Sequence, residues 1–195
     1  MGDLANDRFI EVTITSEQEL HTWLEHHHTQ HEAIWLITYK KAISEKYIPH
    51  DQVLDQLIAY GWCDGIRRRI DNERSMQLVS PRRTQPWAKS YKDRAERLIA
   101  TGKMEHSGLQ SVERARSTGM WDAMNDVDAL VIPPDLAQAL SVQAPANHYF
   151  ANFPVSTRRN ILRWIASAKT EPTRARRIAL TASEARQNVP VKSNG

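Results

Sequence analysis

One segment predicts the centre of the fold: Gly61-Trp62-Cys63-Asp64-Gly65-Ile66-Arg67-Arg68-Arg69-Ile70-Asp71, continuing through Met76-Gln77-Leu78-Val79 to Ser80-Pro81-Arg82-Arg83. Residues 62–70 and 75–79 are strand-like in their β-branched and aromatic content. Asp71-Asn72-Glu73-Arg74 lies between them and contains residue types that favour turns. We therefore expect an antiparallel hairpin that ends at Pro81, because proline cannot donate to a strand ladder.

The segments before the hairpin predict two further strands and two helices. Residues 9–14 and 33–40 have a strand-like composition. Between them, Ser16 and Glu19 have the spacing of a capping box that begins a helix. A second amphipathic helix is expected after Pro49. The first half is therefore predicted to be α+β, with two helices and a small, mostly antiparallel sheet.

The pattern changes near residue 85, after which apolar residues recur at helical spacing. Helices are expected at residues 87–100 and 107–118, after Pro133-Pro134, and at residues 144–152, 156–169 and 173–186. The predicted organisation is an α+β region at 1–85, an all-helical region packed on it at 86–188, and a flexible tail at 189–195.

Composition limits the class of protein. The chain has 195 residues, 41% of them hydrophobic, which is enough for a packed core. It has a single cysteine, so no internal disulfide is expected, and no apolar run is long enough to span a bilayer. The polar N-terminus lacks the pattern of a signal peptide. These features predict a cytoplasmic protein without a transmembrane segment.

Six residues in and beside the hairpin form the predicted ligand site: Trp62, Asp64, Arg67, Arg82, Arg83 and Trp87. Arginine forks bind carboxylates and phosphates bidentately, and tryptophan faces can stack on a ligand. We therefore expect a cleft for a small anionic ligand or a headgroup. Two alternatives stay open for these arginines: a solvated basic face and a nucleic-acid surface, although the net charge of +3 is small for the latter.

Asp64 has its own alternatives. Strict alternation along the strand places it on a mainly apolar face with Trp62, and places Arg67 on the opposite face. A buried carboxylate needs a partner, and Arg82 or Arg83 is the expected one. Asp64 is therefore predicted either to form a structural ion pair or to act as a general acid or base.

Two other groups are weaker candidates for chemistry. His27 and His31, in the run between His21 and His31, stand at a spacing that metal ligands use, but no thiol is near, and no metal is predicted. Cys63 is turned away from Asp64 by strand alternation, so a small buried or half-buried thiol is expected there. No phosphate-binding loop or nucleophile elbow is present, and no cofactor is predicted.

The order and spacing of these motifs, from about Ser16 to Arg186, resemble the YdeI/OmpD-associated (bacteriocin-protection) family. The matching positions are Trp35, Lys40, Trp62, Asp64, Gly65, Arg67, Pro81, Arg82, Arg83, Trp87, Arg94, Leu98, Gly102, Met104, Gly108, Trp121, Pro134, Leu136, Arg174 and Arg177. Ala88 and Tyr91 depart from the pattern, since many relatives have Ser and then Asn after the tryptophan. The resemblance implies bacterial protection against bacteriocins or cationic peptides, an envelope association for some members, and no reaction.

The sequence therefore predicts a non-enzymatic, soluble bacterial protein of the bacteriocin-protection type that binds a small anion or headgroup at an Arg/Trp cleft. The first alternative is an enzyme that uses Asp64 as general acid or base, and the second is a nucleic-acid-binding module. The identity of the ligand and the oligomeric state are not specified by the residues.

Overall fold

The computed structural model of the protein describes residues 9–192. The chain forms two compact units, which divide after Asp122. We refer to Met1–Asp122 as unit 1 and to Ala123–Gly195 as unit 2. The division therefore lies well beyond residue 85, where the sequence changes to helical periodicity. The signal-peptide prediction concerns residues 1–8, which lie outside the described residues.

Unit 1 contains a mixed sheet of four strands and four longer helices. Its elements are β1 (Glu11–Thr13), α1 (Glu17–His27), β2 (Ile34–Tyr39), a short 3-10 turn (Ser44–Lys46), α2 (His50–Ala59), β3 (Trp62–Arg69), β4 (Arg74–Pro81), α3 (Lys89–Ala100) and α4 (His106–Ser117). The strand order is β1-β2-β4-β3; β1 is parallel to β2, while β4 is antiparallel to both β2 and β3. The predicted α+β class and the antiparallel hairpin are confirmed.

The first helix begins as the capping pattern predicts. The Ser16 hydroxyl accepts a hydrogen bond from the Glu19 backbone N–H at 3.1 Å. The Glu19 carboxylate in turn accepts from the backbone N–H of Thr15, at 2.8 Å, so it satisfies the donor one residue before the cap. Both contacts fix the entry of the chain into α1.

A β-bulge interrupts the hairpin and changes which residues share a face. Asp64 pairs with Val79 and Arg67 pairs with Gln77, so three steps along β3 match two steps along β4. Residues paired across antiparallel strands point to the same side, and Val79 and Gln77 are two apart on β4. Arg67 therefore lies on the face of Asp64, and the prediction of opposite faces was wrong because strict alternation ignores the extra residue.

The helices of unit 1 pack on one face of the sheet and bury a large apolar core. On β2, Ile34 and Leu36 belong to this core, whereas Trp35 and Ile37 belong to a smaller apolar cluster on the other face. Trp62 on β3 and Trp87 before α3 are also part of the large core. The run of successive apolar residues in β2 is thus the ordinary pattern of a strand that is covered on both faces.

Two glycines let the start of α4 approach the end of α2. A Cβ on Gly108 would lie 2.1 Å from the carbonyl oxygen of Ala59, and a Cβ on Gly61 would lie 2.9 Å from the carbonyl oxygen of Ser107. Gly61 also has a positive φ of 75°, which allows the chain to turn from α2 into β3. The backbone N–H of Glu105 donates to the Ala59 carbonyl oxygen at 3.1 Å. These contacts hold the first turn of α4 beside Tyr60 and Gly61.

Unit 2 is helical in its described part. Its helices are α5 (Asn125–Asp128), α6 (Pro134–Val142), α7 (Ala146–Asn152), α8 (Val155–Ala166) and α9 (Glu171–Arg186). The short α5 was not predicted, since four residues carry no periodic signal. Val191 is buried in the core of this unit, although the sequence predicts a flexible tail at residues 189–195; residues 193–195 lie outside the described residues.

Helices long and apolar enough to cross a bilayer are absent from residues 9–192.

Candidate functional site

Asp64 lies in a polar cluster with residues from β4 and α3. One carboxylate oxygen accepts a hydrogen bond from the Tyr91 hydroxyl, and the other accepts from the Gln77 side-chain amide at 2.8 Å. Within the described part of the chain, Asp64 forms no ion pair with Arg82 or Arg83. The expected Asp–Arg pair is therefore wrong: the carboxylate is half-buried, and two neutral donors satisfy it.

Tyr91 stays protonated in this cluster. Burial raises the pKa of the Tyr91 phenol, and the hydrogen bond to the Asp64 carboxylate raises it further. A neutral phenol can donate to the carboxylate, whereas a phenolate would repel it. Tyr91 is thus one of the two donors to Asp64, and it stands at a position where the chain departs from the family pattern.

Arg82 is almost fully buried, with 5% of its surface exposed. Its guanidinium carbon lies 4.3 Å from the centre of the Trp87 ring and 5.1 Å from that of Tyr91. One terminal nitrogen donates to the carbonyl oxygens of Gln85 and Pro86, at 3.4 and 3.3 Å, and Nε has no hydrogen-bond partner within the described residues. Burial lowers the pKa of Arg82, against the opposing effect of nearby Cys63, Tyr91 and Asp64.

The other predicted site residues are placed differently. Trp62 and Trp87 have 0% and 1% of their surface exposed, so neither ring offers an open face for stacking. Arg67 is exposed and donates to the Ser75 hydroxyl at 3.0 Å. Of the six predicted residues, the structure gathers Asp64, Arg82 and Trp87 around Tyr91, while Arg83 reaches the backbone of His31.

Arg82 and Arg83 line a cavity of about 540 Å³ in unit 1. Six of the fourteen lining residues are basic: His28, His31, Arg82, Arg83, His106 and Arg114. Five others are polar and uncharged: Thr29, Gln30, Thr84, Ser107 and Gln110. Tyr60, Gly61 and Pro81 complete the lining, which contains no Asp or Glu. We call this space the basic cavity.

Backbone carbonyls hold the two exposed arginines of the basic cavity. Arg83 donates to the carbonyl oxygen of His31 at 3.0 Å, and Arg114 donates to that of Arg82 at 3.1 Å. Each guanidinium has five N–H donors, so most of them stay available. Burial, together with Glu105 and Glu25, raises the pKa of Tyr60 to about 12, so its phenol adds no negative charge to the lining.

The basic lining does not reflect an excess of positive charge in unit 1. Residues 9–122 contain sixteen Arg or Lys and sixteen Asp or Glu, whereas residues 123–192 contain nine and five. Three of these sixteen cations line the basic cavity, whereas none of the sixteen acids does. A cavity of this size suits a small molecule, and its charge favours an anion.

His27 and His31 do not lie on the same helix. α1 ends at His27, so His31 lies beyond the helix and on the basic cavity. His27 stacks on Trp23, with ring centres 4.5 Å apart, and its Nδ1 donates to the Trp23 carbonyl oxygen. Residues 9–192 contain no group of three or more His, Cys, Asp or Glu arranged to hold a metal ion.

Cys63 is buried, as its position in the strand predicts. Its Sγ lies 3.5 Å from the Ser80 carbonyl oxygen and 3.6 Å from the Ser80 hydroxyl. The Arg82 guanidinium interacts electrostatically with Cys63. Neither contact with Ser80 supplies a base that would activate the thiol as a nucleophile.

Sequence reasoning missed His28, His106, Arg114 and Tyr91. Arg114 and His106 lie on α4, far along the chain from the hairpin, and amphipathic periodicity gives no sign that the start of this helix meets the end of α2. The glycine at position 108 was the available signal, since a glycine inside a helix often marks a close approach.

Two family models match separate parts of the chain. Residues 12–111, just over half of the sequence, match a domain of unknown function (DUF8412). The chain belongs to this family. The DUF8412 segment contains the hairpin, Tyr91 and every residue of the basic cavity except Arg114.

Residues 129–188 match the family described as "Bacteriocin-protection, YdeI or OmpD-Associated". This match confirms the resemblance found in the sequence, and it contains Pro134, Leu136, Arg174 and Arg177 of the matching positions. No curated protein and no solved structure matched the chain.

Proposed function

We propose that this chain is a non-enzymatic protein of the bacteriocin-protection type that binds a small anion or an anionic headgroup in the basic cavity. The observation that carries the proposal is the lining: three arginines, three histidines and no carboxylate around about 540 Å³. The positive charges of the arginines repel one another in the empty protein, and an anion offsets that repulsion. The family match at residues 129–188 supplies the biological context.

Binding is favoured over catalysis by the state of Asp64. Tyr91 and Gln77 occupy its two carboxylate oxygens, and Asp64 is not among the residues of the basic cavity. A general acid or base must reach the proton that it transfers. The Asp64 cluster is therefore assigned a structural role, holding α3 against β3 and β4.

A basic cavity would repel a cationic peptide, so direct capture of a bacteriocin is disfavoured there. Protection would instead act through the anionic ligand. This makes ligand binding the first property to test, before any protection assay.

The test compares the wild type with Arg83→Ala/Arg114→Ala. Both side chains are exposed, so their removal should leave the fold intact. Arg116→Ala is the control for the loss of one positive charge from α4, because Arg116 stacks on Trp121 and does not line the cavity. An anion at a hundredfold excess over its dissociation constant stabilises the bound form by about 2.7 kcal/mol.

Thermal shift with phosphate, sulfate, phosphorylated metabolites and carboxylates should stabilise the wild type and the Arg116 control, and the double variant much less. Isothermal titration then gives the affinity. If no anion stabilises the wild type more than the double variant, the basic cavity is not an anion site and the proposal fails.

A further inference from the structure

The residues that line the basic cavity include no large aliphatic side chain. Its five uncharged polar residues carry hydroxyl or amide groups, and no Leu, Ile, Val, Met, Phe or Trp is among its fourteen residues. The uncharged side chains that can recognise the body of a ligand therefore do so mainly through hydroxyl and amide groups.

Several of these polar groups are unpaired. Within residues 9–192, the hydroxyls of Thr29, Thr84 and Ser107 have no hydrogen-bond partner, and all three residues line the cavity. Gln110 differs, since its amide contacts the His106 ring at 2.9 Å. Three unpaired hydroxyls can exchange hydrogen bonds with hydroxyl groups of a ligand.

The charge on the lining favours a multiply charged anion. One carboxylate can satisfy one guanidinium fork, which would leave the second exposed fork, of Arg83 or Arg114, without a partner. A phosphate monoester carries a charge of about −1.5 to −2 at neutral pH and three acceptor oxygens, so it can accept from both forks together.

The first turn of α4 adds donors in the same place. His106 and Ser107 line the cavity, and no side chain caps this helix at Glu105. Free backbone N–H groups at a helix start favour phosphate, and here they add to the arginines.

The volume of the cavity is larger than a free phosphate ion requires. Its volume of about 540 Å³ lies in the range of sites for whole small molecules, and is far larger than one phosphate group requires. The phosphate therefore accounts for one part of the space, and the unpaired hydroxyls line the rest.

We propose that the ligand is a phosphorylated polyol, such as a sugar phosphate, with its phosphate between Arg83 and Arg114 and its hydroxyl groups on Thr29, Thr84 and Ser107. This inference rests on the proposed anion-binding function. The same chemistry occurs in a soluble sugar phosphate and in the glycerol phosphate headgroup of phosphatidylglycerol. We commit to the soluble form, because none of the large aliphatic side chains that hold acyl chains is among the lining residues.

The experiment uses isothermal titration of the full-length protein at constant ionic strength. The probes are glucose 6-phosphate, orthophosphate, hexyl phosphate, glucose and acetate. Glucose 6-phosphate should bind at least about tenfold more tightly than orthophosphate or hexyl phosphate, since its hydroxyl groups add hydrogen bonds that the other two probes lack. Glucose and acetate should bind far more weakly still.

Variants assign the two parts of the ligand. Arg114→Ala should weaken glucose 6-phosphate and orthophosphate alike, by about tenfold or more, because it removes a charge-assisted contact. Ser107→Ala combined with Thr84→Val should weaken glucose 6-phosphate and leave orthophosphate unchanged. Arg116→Ala is the control, and thermal melting checks that each variant is folded.

The outcomes separate this inference from the proposed function. Equal affinity for glucose 6-phosphate, hexyl phosphate and orthophosphate would overturn the polyol while the anion site stands. Tighter binding of acetate than of phosphate would overturn the phosphate class. If the protein binds phosphatidylglycerol vesicles and none of the soluble probes, and if Arg114→Ala abolishes that binding, the proposal of a soluble ligand is overturned. Absence of binding by every anion would overturn both proposals.

Discussion

Tyr91→Phe is the sharpest test of the Asp64 cluster, because it removes one oxygen and keeps the ring that Arg82 stacks on. The Tyr91 hydroxyl is one of the two donors to the Asp64 carboxylate, and Gln77 is the other. A hydrogen bond to a charged group contributes about 1.5–3 kcal/mol. Asp64 is half-buried, so water can replace part of the lost contact. We therefore expect the low end of this range, about 1.5 kcal/mol.

The assay is urea unfolding at neutral pH, followed by tryptophan fluorescence. Five of the six tryptophans lie in unit 1, so the signal reports mainly the unit that contains Tyr91. Tyr47→Phe is the matched control, since Tyr47 is partly exposed and its hydroxyl has no hydrogen-bond partner within the described residues. The control should change the free energy of unfolding by less than about 0.5 kcal/mol.

A double-mutant cycle with Asp64→Asn isolates the contact. If the phenol acts through the carboxylate charge, the effect of Tyr91→Phe should shrink in the Asp64→Asn background, with a coupling energy of about 1 kcal/mol. A Tyr91→Phe variant as stable as Tyr47→Phe, or one whose effect is the same in both backgrounds, would refute the Tyr91–Asp64 contact as a stabilising interaction.

Three further predictions follow from individual contacts. Burial raises the pKa of Asp55, but hydrogen bonds from Arg97 and Arg94 outweigh burial and hold the pKa below 3.8. The ionised Asp55 therefore stabilises the fold above pH 3.8, and this stabilisation is lost as the pH falls through the lowered pKa. Asp55→Asn should lose that part of the acid dependence in urea titrations, and an unchanged acid limb would contradict the pairing. Gly108→Ala should destabilise unit 1 by about 1–3 kcal/mol, because the added Cβ would clash with the Ala59 carbonyl oxygen. Glu113→Ala, on the exposed face of α4, is the control. Equal stability of the two variants would contradict the close approach of α4 to α2. The affinity for a small anion should fall only modestly as the salt concentration rises, because few charges are neutralised on binding. A steep slope of log affinity against log salt, of the size that many phosphate contacts produce, would instead indicate a nucleic acid.

Local signals in the sequence were enough to predict the hairpin and most helices. The Ser16 cap, the turn at residues 71–74 and the helical spacing after residue 85 act within short windows, where propensity and periodicity decide the structure. The boundary between the units was harder, because α3 and α4 are helical yet lie in unit 1. Periodicity identifies a helix but does not say which core it joins.

The candidate site was only partly predictable, for the same reason. Arg82 and Arg83 were identified from their concentration near the hairpin, but the bulge after Asp64 and the reach of Tyr91 depend on tertiary packing. The basic cavity combines four segments, at residues 28–31, 60–61, 81–84 and 106–114. Side chains from separate segments become neighbours only in the fold, and no local pattern encodes that.

The most direct test of the central claim is a crystal structure of the protein grown with glucose 6-phosphate. The account predicts phosphate oxygens within hydrogen-bond distance of the Arg83 and Arg114 guanidinium groups, with the sugar in the rest of the basic cavity. An empty cavity at a ligand concentration that saturates the protein in solution, or the phosphate bound to arginines of unit 2, would contradict it.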